Sequence, residues 1–358
     1  MILCGMLALP PCLWADAWVI EGQRPQQWPA EVVQHAPPQV TPPAWAAAAT
    51  AAKVRAFLRA DHPLAEKRAV MAWWLQDHPD AGDFQRMVQC CIDDEQWDEA
   101  FSWMQRWARE EGLEVAEWES SPAGERARSQ AKWPAMRQFL QACEKVWQQS
   151  DFFRIRVTVP TGYDGQETLR WVLGLHGYGS QPEDFMGEDF QRLSDAQRLA
   201  IIGVSGRRAL GRAAMMWTED ADKDMAHVEK ALQQVRKRVK LRDDRGIVVG
   251  FSQGGQLAAE LAAAWPRKIS ICVSMSPGSR YPSGLRQRLA SHGASLAQQR
   301  YFFSWISGEG AGPKQRIDDW WGILRERGAH CQTHVFAGKQ HRWPPHYEDY
   351  FAVIWQVP

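Results

Sequence analysis

Two positions far apart in this chain are suited to act on the same reacting group: a serine held between glycines and a histidine in a late loop. The serine lies in Gly250-Phe251-Ser252-Gln253-Gly254-Gly255. Before it, Gly246-Ile247-Val248-Val249 reads as a central parallel strand, and after it the alanine-rich stretch Gln256 to Trp265 reads as a helix. A serine at so sharp a strand-to-helix turn must adopt strained backbone angles, and the flanking glycines remove the Cβ atoms that would collide. That turn holds Oγ out as a nucleophile, and the helix N-terminus behind it favours a developing oxyanion. Such a serine needs a base to take its proton and an acid to hold the base in one tautomer. His341, in Gly338-Lys339-Gln340-His341-Arg342-Trp343, falls in the loop expected between the last strand and a terminal helix, which suits the base. His334 falls inside the strand and His346 inside the helix, so both are read as packing or surface residues.

An oxyanion hole needs two backbone N–H groups, one following the nucleophile and one from a loop after an earlier strand. Gln253 supplies the first. Leu175-His176-Gly177-Tyr178-Gly179-Ser180 ends an apolar strand in a glycine-flanked turn, and the Tyr178 amide is the candidate for the second.

The elements that must position these groups follow from residue 151 onward. Ile155, Val157 and Val159 alternate with Arg154, Arg156 and Thr158, as in a half-buried strand. Strands are then expected at 169–176, 199–205, 246–251, 269–275, 301–307 and 330–336, with helices at 184–197, 218–239, 314–327 and 345–355. This alternation predicts an α/β fold with a doubly wound, mostly parallel sheet over 151–358 and no large lid domain. Residues 44–150 read as a small all-α domain rich in tryptophan, including Trp73, Trp74, Trp97, Trp103, Trp107, Trp133 and Trp147. Within it, residues 96–103 look like the second helix of a tetratricopeptide-type hairpin, with a weaker echo at 64–79. The expectation is a helical domain docked on the catalytic part; a peptide or protein partner is the alternative. Residues 18–43 carry six prolines and read as a linker or clasp. Residues 1–17 read as an export signal ending in Ala15-Asp16-Ala17, which implies a secreted or periplasmic protein, with a cytoplasmic one as the alternative.

Composition narrows the partners. Lys and Arg total 42, Asp and Glu total 42, so the zero formal charge offers no footprint for nucleic acid or an anionic membrane. Arg236-Lys237-Arg238 ends a helix that begins with acidic residues, which complements its dipole. No stretch after the first is apolar enough to span a bilayer. Removing the leader would leave five of the seven cysteines, an odd number unlike a disulfide scaffold. No zinc-type or nucleotide-binding motif is present, so neither a metal nor a cofactor is expected.

Together the Leu-His-Gly turn at 175–177 with Glu183-Asp184-Phe185 after it, Gly-Phe-Ser-Gln-Gly-Gly, Met275-Ser276-Pro277 and the histidine loop resemble the carboxylesterase/phospholipase family of α/β-hydrolases. That family includes acyl-protein thioesterases and small bacterial esterases, and the resemblance covers about Phe153 to Gln356. It implies Ser252 as nucleophile, His341 as base, the Tyr178 and Gln253 amides as oxyanion hole, and Trp217 at the border of an acyl groove; a buried aromatic plug is the other reading of Trp217. The family places an aspartate three residues after a glycine, and here Gly308-Glu309-Gly310-Ala311 has alanine at that position. Glu309 is the nearest carboxylate, with Asp318 and Asp319 ranked below it and a serine–histidine dyad as the third case. The expected activity is hydrolysis of a small-molecule carboxylic ester. The alternatives are a serine peptidase, a thioesterase, a feruloyl-type esterase, or an impaired hydrolase fold that only binds.

Overall fold

The computed structural model describes residues 17–34, 45, 50–185, 188–279, 285, 287–288 and 296–343. The described residues form two compact units, one comprising Ala17–Gly22, Phe153–Arg207 and those from Met216 onward, the other those of Gln23–Phe152 with Arg208–Met215.

The first unit is built on an eight-stranded sheet. Its strands are β1 (Ala17–Glu21), β2 (Arg154–Thr158), β3 (Arg170–Leu175), β4 (Leu199–Val204), β7 (Gly246–Phe251), β8 (Ile269–Met275), β9 (Arg300–Ile306) and β10 (His330–Phe336), in the order β1-β2-β4-β3-β7-β8-β9-β10. Strand β2 is antiparallel to β1 and β4, whereas β4, β3, β7, β8, β9 and β10 run parallel. Side chains alternate between two cores, as a period of two requires. Trp171, Leu173, Leu175 and Val248 face one core, which α9 (Ala221–Arg236), α10 (Gln253–Ala264) and α11 (Gly312–Glu326) cover through Val228, Leu257 and Ile317. Val172, Ile247, Val249 and Val273 face the other, with Phe190 of α8 (Glu188–Gln197). Burial on both faces explains why these strands read as continuous apolar runs.

Residues 18–21, read from the sequence as the start of the linker, instead form β1, which pairs with β2 from Ala17↔Thr158 to Glu21↔Arg154. Residues 1–16 of the expected signal, and the expected helix at 345–355 with His346, lie outside the described residues.

The second unit holds α1 (Ala51–Arg59), α2 (Leu64–Asp77), α3 (Ala81–Asp93), α4 (Trp97–Glu110), α5 (Val115–Glu119), α6 (Pro122–Arg128) and α7 (Trp133–Gln149). Its core contains Trp74, Trp103, Trp107, Trp118 and Trp133. The segment likened to a tetratricopeptide helix is the first half of α4, and its Phe101 and Trp103 are buried in this unit's own core. The proline-rich segment clasps α4: Gln105 accepts from the Val32 and Val33 amides and donates to the Val33 carbonyl. A short hairpin, β5 (Arg208–Ala209) with β6 (Met215–Met216), supplies Ala209 and Met215 to a cluster around Trp147 and Phe152. The helices therefore do not simply precede a continuous α/β segment. They interrupt it after β1 and also take up residues 208–215.

Candidate active site

Parallel strands end their backbones along a common edge, and here that edge carries the loops after β3, β7, β8, β9 and β10. Ser252 stands at the turn from β7 into α10 with φ 55 and ψ −119. A non-glycine residue in the left-handed region costs on the order of 1–3 kcal/mol and is held only where its surroundings over-determine it. The Ser252 amide donates to the Met275 carbonyl (3.0 Å), and its own carbonyl accepts from the Gly278 amide (2.7 Å). The turn is tight enough that a Cβ on Gly254 would lie 2.1 Å from the Leu175 carbonyl oxygen.

His341 reaches the elbow from the loop after β10. Its Nε2 is 2.9 Å from Ser252 Oγ, and its Nδ1 is 2.7 Å from Glu309 Oε2. The imidazole stacks on Phe251, ring centroids 4.9 Å apart. Its position depends on two loops tied together, since the Ser307 amide donates to Phe336 and the Gly308 amide to Gly338. Gly308 is needed for that approach, because a Cβ there would sit 2.6 Å from the Gly338 carbonyl oxygen.

The acid position is occupied by Glu309. Its side chain is fully buried, against 42% exposure for that of His341. While Oε2 meets the histidine, Oε1 accepts from the Ile306 amide (2.7 Å) and from Ser276 Oγ (2.8 Å). Two donors on one oxygen fix the carboxylate plane and leave the other oxygen aimed at Nδ1. Ala311 stands at the N-terminal boundary of α11, and the longer glutamate side chain two positions earlier reaches the histidine instead. Asp318 and Asp319 lie within α11, Asp318 in an ion pair with Lys314.

The turn after β3 lies beside the elbow, since a Cβ on Gly177 would be 3.4 Å from Ser252 Cβ. Tyr178 follows it. Gln253 begins α10, and its amide has no acceptor among the described residues; its side-chain oxygen accepts from the Trp217 amide (3.3 Å). Trp217 does not border an open groove. It is fully buried, stacks on His176 with ring centroids 5.4 Å apart, and donates from Nε1 to the His176 carbonyl (2.8 Å). His176 Nε2 accepts from the Gly206 amide (2.7 Å), while Nδ1 faces the Gly177 carbonyl. Burial pushes its pKa down to about 4, so the ring is neutral and carries its proton on Nδ1. Trp217 and His176 thus brace the 175–178 turn from beneath.

Sequence reasoning missed Ser276 and His176 as supports. Both lie in motifs already singled out, yet their partners become visible only in three dimensions. Among the described residues no group of three or more His, Cys, Asp or Glu side chains is arranged to hold a metal ion.

A mostly parallel sheet, an elbow serine after β7, an acid after β9 and a histidine after β10 define the α/β-hydrolase class. No protein-family model matches the chain, and no curated relative is detected. Solved structures similar to it include a phospholipase/carboxylesterase from Dyadobacter fermentans, 17% identical over 57% of this chain and 94% of that one, with a TM-score of 0.42. A Bacillus cereus carboxylesterase is 15% identical over 60% of this chain and 98% of that one, with a TM-score of 0.45. A protein from Bacteroides ovatus described as a dipeptidyl aminopeptidase IV is 12% identical over 57% of this chain, with a TM-score of 0.46, and this chain spans 33% of its length.

Proposed function

We propose that this protein is a serine hydrolase that cleaves carboxylic esters of short or medium acyl chains. The observation that carries the proposal is the unbroken hydrogen-bond chain from Ser252 Oγ through His341 to the buried carboxylate of Glu309. As Ser252 Oγ bonds to the acyl carbon, His341 Nε2 takes the hydroxyl proton, and Glu309 holds the imidazole with Nδ1–H toward itself and offsets the imidazolium charge. The tetrahedral oxyanion is received by the Gln253 and Tyr178 amides at the start of α10 and in the turn after β3. Collapse expels the alkoxide, which takes the proton from His341. A water molecule, deprotonated by the same nitrogen, then attacks the acyl-enzyme and releases the acid, so no cofactor enters the cycle.

Alanine at position 311 motivates the serine–histidine dyad and, with the tetratricopeptide-like helices, the binding-only descendant; the contact of the Glu309 carboxylate with His341 Nδ1 supports the esterase reading over both. Export from the cytoplasm is a proposal resting on residues 1–17 of the sequence alone. Among the described residues no helix is long and apolar enough to cross a membrane.

The test is turnover of p-nitrophenyl acetate and butyrate by the full chain, with fluorophosphonate labelling in parallel. Ser252→Ala should lose both. Unchanged hydrolysis in that variant would overturn the mechanism, and a panel of thioester, feruloyl and peptide substrates ranks the related acyl bonds.

A further inference from the structure

The edge of the sheet remote from Ser252 carries a second concentration of functional groups. Because β3, β7, β8, β9 and β10 are parallel, their N-terminal ends lie together there. Arg170 opens β3, Arg242 and Arg245 precede β7, Arg267 precedes β8 and Arg300 opens β9. These five arginines line one cleft of about 880 Å³, a volume within the usual range of small-molecule sites. Asp244 is its sole carboxylate, and it is engaged by Arg242 at 3.1 Å. Arg170, Arg245, Arg267 and Arg300 have no acidic partner among the described residues. A chain whose acids and bases balance at 42 each does not gather such a surplus through general basicity.

Two details distinguish the cleft from a solvated surface. Arg170 Nε is buried and makes no hydrogen bond, and burial, with the neighbouring Arg242 and Arg245 charges, lowers the Arg170 pKa. A partly desolvated cation among like charges is costly unless an anion is present. Arg245, which lines the same cleft, is also held in the left-handed region, with φ 56.

Adjacent strands are about 4.8 Å apart, so the three intervals from β3 to β9 set the arginines along a row of about 14 Å. Guanidinium forks match phosphate oxygens in pairs, and a row of forks suits linked phosphates better than a single one. We propose that this cleft is a binding site for a small anion bearing several linked phosphate groups, the chemistry shared by condensed phosphates and nucleoside polyphosphates. Among the described residues that line the cleft the one aromatic ring is the His330 imidazole, with no Phe, Tyr or Trp, so it lacks the broad stacking platform on which single-stranded nucleic acid is held. Strands of this length span about 20 Å, which separates the cleft from the acyl-transfer site and makes its test independent of that activity.

The experiment is isothermal titration calorimetry on the full chain at constant ionic strength, with inorganic phosphate, tripolyphosphate, adenosine triphosphate and a single-stranded oligonucleotide as probes. Tripolyphosphate should bind saturably, one per chain, and more tightly than phosphate. Equal affinity for adenosine triphosphate means that the phosphate chain alone is read, and higher affinity assigns the ligand to nucleotides. Arg245→Asn, which keeps a residue tolerant of positive φ, and Arg267→Gln, at an exposed position, should each weaken binding about tenfold. Both should keep the wild-type melting temperature and p-nitrophenyl butyrate turnover. Absence of saturable tripolyphosphate binding, undiminished binding in both variants, or tighter binding of the oligonucleotide would each overturn the proposal.

Discussion

Replacing Glu309 with glutamine tests the triad through a single atom. Glutamine has nearly the shape of glutamate, so the loop from Ser307 to Gly310 keeps its backbone bonds to Phe336 and Gly338. What changes is dictated by the two donors already facing Oε1, the Ile306 amide at 2.7 Å and Ser276 Oγ at 2.8 Å. An amide must present its carbonyl to them, because its NH₂ would face two donors with two more. The NH₂ is then forced toward His341 Nδ1, 2.7 Å away in the parent. Nδ1 becomes an acceptor, Nε2 takes the proton, and the histidine faces Ser252 in the tautomer that cannot accept from it. Tautomer reversal of this kind costs about 10⁴ in kcat, equivalent to about 5.5 kcal/mol of barrier. The assay is p-nitrophenyl butyrate hydrolysis with matched thermal melts. Glu309→Asp retreats by about 1.5 Å, one bond length, and should cost about 10² through misplacement alone. If Glu309→Gln keeps activity within about tenfold of the parent while remaining folded, the acid has been misassigned.

Ser276→Ala removes one of the two donors that orient Glu309, so kcat should fall about tenfold with KM unchanged in steady-state kinetics. Ala311→Asp should leave turnover at the parent level, because the histidine already has its carboxylate; a rise would mean that Glu309 serves poorly. Gly254→Ala drives a methyl to within 2.1 Å of the Leu175 carbonyl, and urea denaturation should register a loss of about 3 kcal/mol. Glu260 is buried beside Arg288, yet burial outweighs the pair and pushes its pKa up from 4.5 to about 7. Its folded pKa is the higher one, so its contribution to stability is whole below pH 4.5 and lost as pH rises through 7. Glu260→Gln should therefore gain on the parent by at most about 3 kcal/mol between pH 5 and pH 8, read as a widening gap in melting temperature; a gap constant with pH would refute the shift.

The eight-stranded sheet was legible because its central strands are short, apolar and punctuated. β7, β8 and β10 begin and end where alternation and turn residues put them. Ser252 and His341 were readable for the same reason: each follows a strand that announces itself. Glu309 could be nominated but not oriented, since its direction is set by Ile306 and Ser276, neither of which marks itself as a partner in the sequence. Trp217 shows the opposite limit, because a tryptophan at a groove and one beneath a turn look alike until burial is known. Strand β1 was hidden behind the apolar run that precedes it and pairs with a strand far along the chain. The hairpin at 208–216 has strands of two residues, too short for any period to appear. The arginine cleft was invisible in principle, because its members are scattered from 170 to 300 and only the parallel topology assembles them.

The pairing of β1 with β2 also sets a timetable for the nascent chain. Glu21 must find Arg154, and everything between them, the whole helical run included, has to be made first. At about 5–20 residues per second, β1 waits on the order of ten seconds for its partner, an edge segment carrying Trp18, Val19 and Ile20 without a ladder to join. The helices emerge during that interval and can pack locally, whereas the sheet can begin only once they are complete. A pause in synthesis between these two points would lengthen the exposure of that segment, and a chaperone that shields short apolar strands would act on this protein before Ser252, Glu309 or His341 exists.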